Sequence, residues 1–298
     1  MTYYRYCVSN RSKVYLEEYR QLRFVFFFAE RMMKMEAQDC LEAIEVAYSN
    51  ARTFDAVPQP SGMHTERLPF TVKLVSSEED LAKAVSIRHR AYARHLPTVA
   101  ASLDRPEILD RDEGSVVVLA ESKLDGTPVG TMRIQSNRKR KLALEHSVDL
   151  PEWLRDESII EIARFGVAEG RIGRIVKTVL VKAGFQFCLL NGIDWLVIAA
   201  RSPLDKQYEK LLFQDVFPDF GFIPMQHAGD IPHRVLAFDV ANAYEKWTAA
   251  NHPLFDFMCK THHPDLQLTD RNATTEAAVA RLPDEYRNSG LNPLAILP

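Results

Sequence analysis

Residues 158–200 read SIIEIARFGVAEGRIGRIVKTVLVKAGFQFCLLNGIDWLVIAA, and three patterns follow one another inside that stretch. Ser158 to Val167 carries β-branched and aromatic residues and reads as a strand. Glu169-Gly170-Arg171-Ile172-Gly173-Arg174 reads as a glycine-containing turn that opens an amphipathic helix from about Ile175 to Leu190, closed by Asn191-Gly192. Trp195 to Ala200 is continuously apolar, as a strand covered on both faces must be. Strand, glycine turn, helix and buried strand make a βαβ unit, so the class is α/β (α+β).

The same alternation extends in both directions. Phe70 to Val75 reads as a strand, and Ser77-Glu78-Glu79-Asp80 as the capped start of a helix through about Ala93. Val116 to Glu121 and Val129 to Gln135 flank Asp125-Gly126-Thr127-Pro128, which predicts a hairpin. Downstream, Asp205 to Phe213 reads as helix, Phe220 to Pro224 as the start of a strand, and Arg234 to Val240 as the last strand, with one more helix beyond Asn242 and a polar tail from about Leu266. Upstream, Met1 to Val57 holds neither Gly nor Pro and reads as a helical arm of one or two helices, joined through the breaker-rich residues 58–67. The expected organisation is therefore an arm (1–57), a linker (58–67), a main domain (68–241) and a C-terminal helix with tail (242–298).

With 46% hydrophobic and 26% charged residues, a chain of 298 residues can bury a large core. A net charge of -3 argues against a general nucleic-acid binder, which needs a basic excess. Cys7, Cys40, Cys188 and Cys259 lie far apart with no metal-ligand spacing, so neither zinc nor a disulfide scaffold is expected, and no metal is called for. His64, His262 and His263 read as surface histidines. The longest apolar run, Phe24 to Ala29, is far short of a bilayer span, and the N-terminus lacks a secretory pattern, which places the chain in the cytoplasm.

Four motifs stand in order along the main domain: Arg88-His89-Arg90-Ala91-Tyr92, Asp110-Arg111-Asp112-Glu113-Gly114-Ser115, Val129-Gly130-Thr131-Met132-Arg133-Ile134, and Glu161-Ile162-Ala163-Arg164-Phe165. As an ordered set they resemble the signature of acyl-homoserine-lactone synthases and their relatives, the bacterial long-chain N-acyl amino acid synthases. The resemblance covers roughly Leu68 to Val240 and implies a GNAT-like acyl-CoA N-acyltransferase fold, a mixed central sheet flanked by helices. It also implies that Glu161, Arg164, Arg133, Asp112 and Arg88 form a charged network beside the acyl-transfer site. Asp110 and Tyr92 are assigned to the acceptor, with Glu107 as another source of the second loop acid.

Residue chemistry supplies a reason for such a set. An α-amino group titrates near 7.7–8.0 and is mostly protonated at neutral pH, so a carboxylate must help remove a proton before nitrogen can attack a thioester. Glu161 is the expected general base. Arg133 and Arg164 suit bidentate pairing with carboxylates, either the acceptor's own or those of Asp112 and Glu161. The stretch Arg171-Ile172-Gly173-Arg174 resembles a shortened form of the loop that cradles cofactor phosphates at a helix N-terminus. Together with Phe165 and Val167 it is assigned to the acyl-phosphopantetheine donor.

Because Ile175 or Val176 stands where a full loop usually has a further small residue, an acyl carrier protein with its single phosphate is favoured over acyl-CoA. Carrier proteins are acidic, which directs attention to two basic runs, Arg138 to Lys141 and Arg171, Arg174, Lys177 and Lys182. Phe165, Phe185, Phe187, Leu196, Ile198 and Phe213 are available for an acyl tunnel, and the apolar arm for capping it, for covering the sheet or for a homodimer interface, and a peripheral membrane contact of the chain stays open. The function expected is transfer of a long-chain acyl group to the amine of a small amino acid. A lactone synthase using S-adenosylmethionine is the nearest alternative, though Ala93 to Thr98 lacks the tryptophan those synthases usually carry. A lipid-forming ornithine N-acyltransferase and a non-catalytic acyl-binding module are the others.

Overall fold

The computed structural model describes residues 64–268, so the expectations for the N-terminal arm, for most of the linker and for the tail past Leu268 lie outside the described residues. The described chain runs through β1 (His64–Thr65), β2 (Phe70–Leu74), α1 (Glu78–Ala93), α2 (Pro97–Ala100), β3 (Ser115–Ser122), β4 (Pro128–Ser136), α3 (Glu152–Arg155), β5 (Ile159–Val167), α4 (Gly170–Asn191) and β6 (Trp195–Ala200). It continues with α5 (Asp205–Lys210), β7 (Gln214–Asp215), β8 (Ile223–Met225), β9 (Ile231–Asp239), α6 (Ala243–Ala249), β10 (Thr261–His262) and β11 (Leu266–Gln267). The main sheet has the order β11-β2-β3-β4-β5-β6-β9-β7, with β8 on β9. This is a mixed central sheet flanked by helices, as the resemblance implies.

Local chemistry explains the boundaries. Ser77 accepts from the Asp80 N–H at 3.1 Å, and Glu78, Glu79 and Asp80 face the positive end of α1. Its buried stripe, Leu81, Ala84, Val85, Arg88 and Ala91, recurs at helical spacing and carries one charge, Arg88, into the interior. Gly192 closes α4 in the left-handed region at φ 59. Arg138 adds a second stop by donating to the Asn191 and Gly192 carbonyls at 3.0 and 2.9 Å.

Three apolar clusters follow from the pleat. Alternate residues of β3, Val118 and Ala120, face α4, whereas Val117 and Leu119 face α1. On β6, Leu196, Ile198 and Ala200 join the α4 side while Val197 packs with Leu142, Leu144, Leu154 and Val235 on the other. That is why Trp195 to Ala200 is apolar at every position. The ring pairs Phe185–Trp247 and Phe213–Phe238, at 5.2 and 5.0 Å, fill the centre of the α4 side, so most of the expected tunnel residues are core.

Five expectations are corrected. The glycine stretch is not a turn ahead of a helix starting near Ile175 but the first turns of α4, which begins at Gly170. The helix from Asp205 stops at Lys210, and the strand expected from Phe220 begins at Ile223. The polar tail does not start at Leu266: Leu266 and Leu268 are buried, and β11 pairs in parallel with β2. His263 is not on the surface; its Nδ1 lies 3.0 Å from the Lys182 ammonium, in the interior.

Candidate active site

Two departures from regular pairing create the site. Between β4 and β5 the register pairs Thr131 with Gly166 but Arg133 with Ala163, so Arg164 and Phe165 stand opposite Met132 alone. This is a β-bulge, and Arg164 takes φ 53 within it, a conformation uncommon for a residue with a side chain. The bulge turns Arg164 out of the alternation of the strand. The second departure is between β5 and β6, whose parallel pairing ends at Glu161 and Val197. Past that point a cavity of about 250 Å³ opens between them, lined among others by Tyr92, Glu161, Phe165, Val167, Ile198 and Tyr208.

Beside the bulge lies a network of three arginines and two acids. Arg88 grips Asp110 with both nitrogens of its fork, at 2.8 and 2.9 Å. Arg164 grips Glu107 in the same way, at 2.6 and 2.7 Å. Arg133 Nη1 bridges the two acids, 2.9 Å from Glu107 and 3.3 Å from Asp110. Burial alone would raise both carboxyls, but Arg164 on Glu107 and Arg88 on Asp110 outweigh it and hold them below the usual carboxylate range. The acids share a turn, for Asp110 also accepts from the Glu107 N–H at 2.8 Å. A second cavity of about 710 Å³, lined by Arg105, Glu107, Arg133 and Arg164, opens against this network.

Glu161 sits in β5 with 1% of its surface exposed. Its Oε2 accepts from the Leu144 N–H at 3.0 Å, and its Oε1 has no hydrogen-bond partner. Burial pushes the carboxyl up to about 7, against the opposing pull of the Leu144 N–H and the charge of Arg133. His227, in the turn after β8, places Nε2 3.7 Å from Glu161 Oε1, and its carbonyl accepts from Arg164 at 3.0 Å. Burial, then the Arg164 charge, lowers this imidazole to about 4, so it is neutral at neutral pH and its contact with Glu161 is no ion pair. The site thus combines a carboxyl that titrates near neutrality, a neutral imidazole and an excess of fixed positive charge. Such a set can take protons from an amine and hold an anionic group.

The structure brings together Arg88, Asp110, Arg133, Glu161, Arg164 and Tyr92 of the expected residues, together with Glu107, the alternative loop acid. Asp112 is not among them: it pairs with the exposed Arg140 at 2.7 Å and caps the Gly114 N–H. The acids that face inward are Glu107 and Asp110, because the short helical turn Ile108–Arg111 folds both back towards α1. His227 was missed, lying 63 residues from Arg164 in a turn without a periodic signal. Gly173 is explained by packing, since a Cβ there would lie 1.7 Å from the Ala168 carbonyl oxygen. Arg171 is exposed and Arg174 half-buried near the start of α4. Lys182 leaves the expected basic patch: it is fully buried and donates to the Phe257 and Thr261 carbonyls. Among the described residues no group of three or more His, Cys, Asp or Glu is placed to hold a metal, and no helix is long and apolar enough to cross a membrane.

The chain is an acyltransferase. Residues 83–220, which contain every member of the network, match the family model described as the N-acyl amino acid synthase FeeM. Among solved structures the chain is similar to that of FeeM, an N-acyl amino acid synthase from uncultured soil microbes, at 13% identity over 63% of this chain and 98% of that one, with a TM-score of 0.48. It is also similar to BjaI, a CoA-dependent acyl-homoserine lactone synthase, at 16% identity over 71% and 98%, with a TM-score of 0.44. An acyl-CoA N-acyltransferase from Pseudomonas aeruginosa gives 16% identity over 56% and 97%, with a TM-score of 0.39. No curated protein sequence matches the chain.

Proposed function

We propose that this acyltransferase moves a long-chain fatty acyl group from a phosphopantetheine thioester to the amino group of an amino acid, with acyl carrier protein as the donor and acyl-CoA able to take the same place. The observation that carries the reading is Glu161, a buried carboxyl pushed up to about 7 where the pairing of β5 and β6 ends. A base whose proton affinity lies close to that of an ammonium group near pH 7 takes and returns a proton at little cost. The thioester lies in the cleft between β5 and β6, along the part of β5 that has no partner strand on that side. Backbone N–H groups there are available to the oxyanion. The acceptor enters from the second cavity, where Arg133 and Arg164 face its carboxylate, while Tyr92 lines the first cavity.

The arginines are held by Glu107 and Asp110, so Arg88 and the two acids keep the forks of Arg133 and Arg164 in place rather than touching the acyl group. Arg171 and Arg174 at the start of α4 suit a phosphate, and the exposed Lys139, Arg140 and Lys141 suit an acidic carrier. The test is mass spectrometry of lipids from a bacterium overproducing the wild type or Glu161→Gln. N-acyl amino acids that appear with the wild type alone support the reading and identify the acceptor. No new species in either strain overturns it in favour of a lactone synthase or an acyl-binding module.

A further inference from the structure

Acyl transfer to an amine requires nitrogen to lose more protons than one base can take. An ammonium nitrogen carries three hydrogens and a secondary amide carries one, so two protons leave. As the C–N bond forms, the C–S bond breaks with its electron pair on sulfur, and the thiolate needs one proton back. One proton therefore goes to solvent and one travels from nitrogen to sulfur. Glu161 accounts for the first.

We infer that His227 is a second catalytic residue of this site, which takes the remaining N–H proton from the tetrahedral adduct and delivers it to the departing thiolate. Three observations carry this, and the inference rests on the acyl-transfer reading above. His227 lines both cavities, the one between β5 and β6 and the one against the arginines, so the same ring meets donor and acceptor. His227 Nδ1 and Glu161 Oε1 are both buried and both lack a hydrogen-bond partner, which is costly unless something fills the site during turnover. The two side chains are 3.7 Å apart, so the two protons leave nitrogen to neighbouring groups.

The surroundings suit a carrier that does not keep its proton. Arg133 and Arg164 face the ring with positive charge, as does His233 when protonated, while Glu107 and Glu161 oppose them. The cation is disfavoured on balance, so a protonated His227 is a strong acid beside an alkyl thiolate, whose conjugate thiol titrates near 8.5.

The test uses the purified full chain with two palmitoyl thioesters, one of N-acetylcysteamine and one of thiophenol, and an equimolar mixture of the standard amino acids, read as N-palmitoyl product. An aryl thiolate is weakly basic and leaves without a proton, so it does not need the acid. His227→Asn is expected to lower the ratio of alkyl to aryl rates by roughly 10²-fold, whereas Glu161→Gln lowers both rates and keeps the ratio. Misfolded protein cancels in a ratio, and His227→Gln repeats the measurement should the Asn variant not fold. A ratio in His227→Asn equal to that of a wild type that turns over both donors overturns the role of His227 alone. A wild type that acylates no amine from either donor or from palmitoyl-acyl carrier protein overturns the acyl-transfer reading, and this inference with it.

Discussion

Replacing Glu161 by Gln should make the protein more stable at alkaline pH while disabling it. The carboxyl titrates at about 7 in the fold against an ordinary 4.5. Between those values the unfolded chain has released the proton that the folded chain keeps, so stability falls as pH rises through this window. Below it neither state is charged and Glu161 costs nothing; above it the full cost applies. At about 1.36 kcal/mol per decade, the gap corresponds to roughly 3 kcal/mol. An amide keeps the Leu144 contact at 3.0 Å and has no charge to bury. The stability gained by the variant should therefore be small near pH 5, grow to about 3 kcal/mol by pH 8, and stay level beyond that. Urea unfolding followed by tryptophan fluorescence measures it, because all three tryptophans, Trp153, Trp195 and Trp247, lie among the described residues. Stability curves for wild type and variant that run parallel from about pH 5 to about pH 9 would refute the reasoning.

The two loop acids separate cleanly. Asp110→Asn leaves the buried Arg88 fork facing a neutral group and should cost about 3–5 kcal/mol, whereas Asp112→Asn loses only a surface pair with Arg140 and should cost under about 1 kcal/mol, both read from denaturant midpoints. Lys182→Met removes the donor shared by the Phe257 and Thr261 carbonyls and His263 Nδ1. At about 1–3 kcal/mol for each orphaned acceptor it should lower the melting temperature more than any single substitution among the exposed residues 139–141.

How much of this was legible follows from the range of the forces involved. The hairpin, the capped α1 and the β5-α4-β6 unit were read from residues 77–200 because turn chemistry, caps and apolar period act over a few neighbours. Arg88, Arg133, Glu161 and Arg164 were legible as an ordered set of motifs, although no spacing says that they meet. The choice between Asp110 and Asp112 was not legible: both stand two residues apart in a polar loop, and only the helical turn Ile108–Arg111 decides which one faces α1. Lys182 and His263 carry polar labels on the page of sequence, and only the return of the C-terminal segment over α4 buries them.

The sequence by itself determined the element order, the class of fold and the identity of the charges that a buried site would have to neutralise, since these depend on local pattern and residue chemistry. Tertiary structure alone decided the register shift that turns Arg164 out of β5, the end of β5–β6 pairing at Glu161, and the approach of His227. Each of these is set by packing between segments distant in the chain. The proton affinity of Glu161 belongs with them, because burial sets it, and burial is a property of everything folded around the residue.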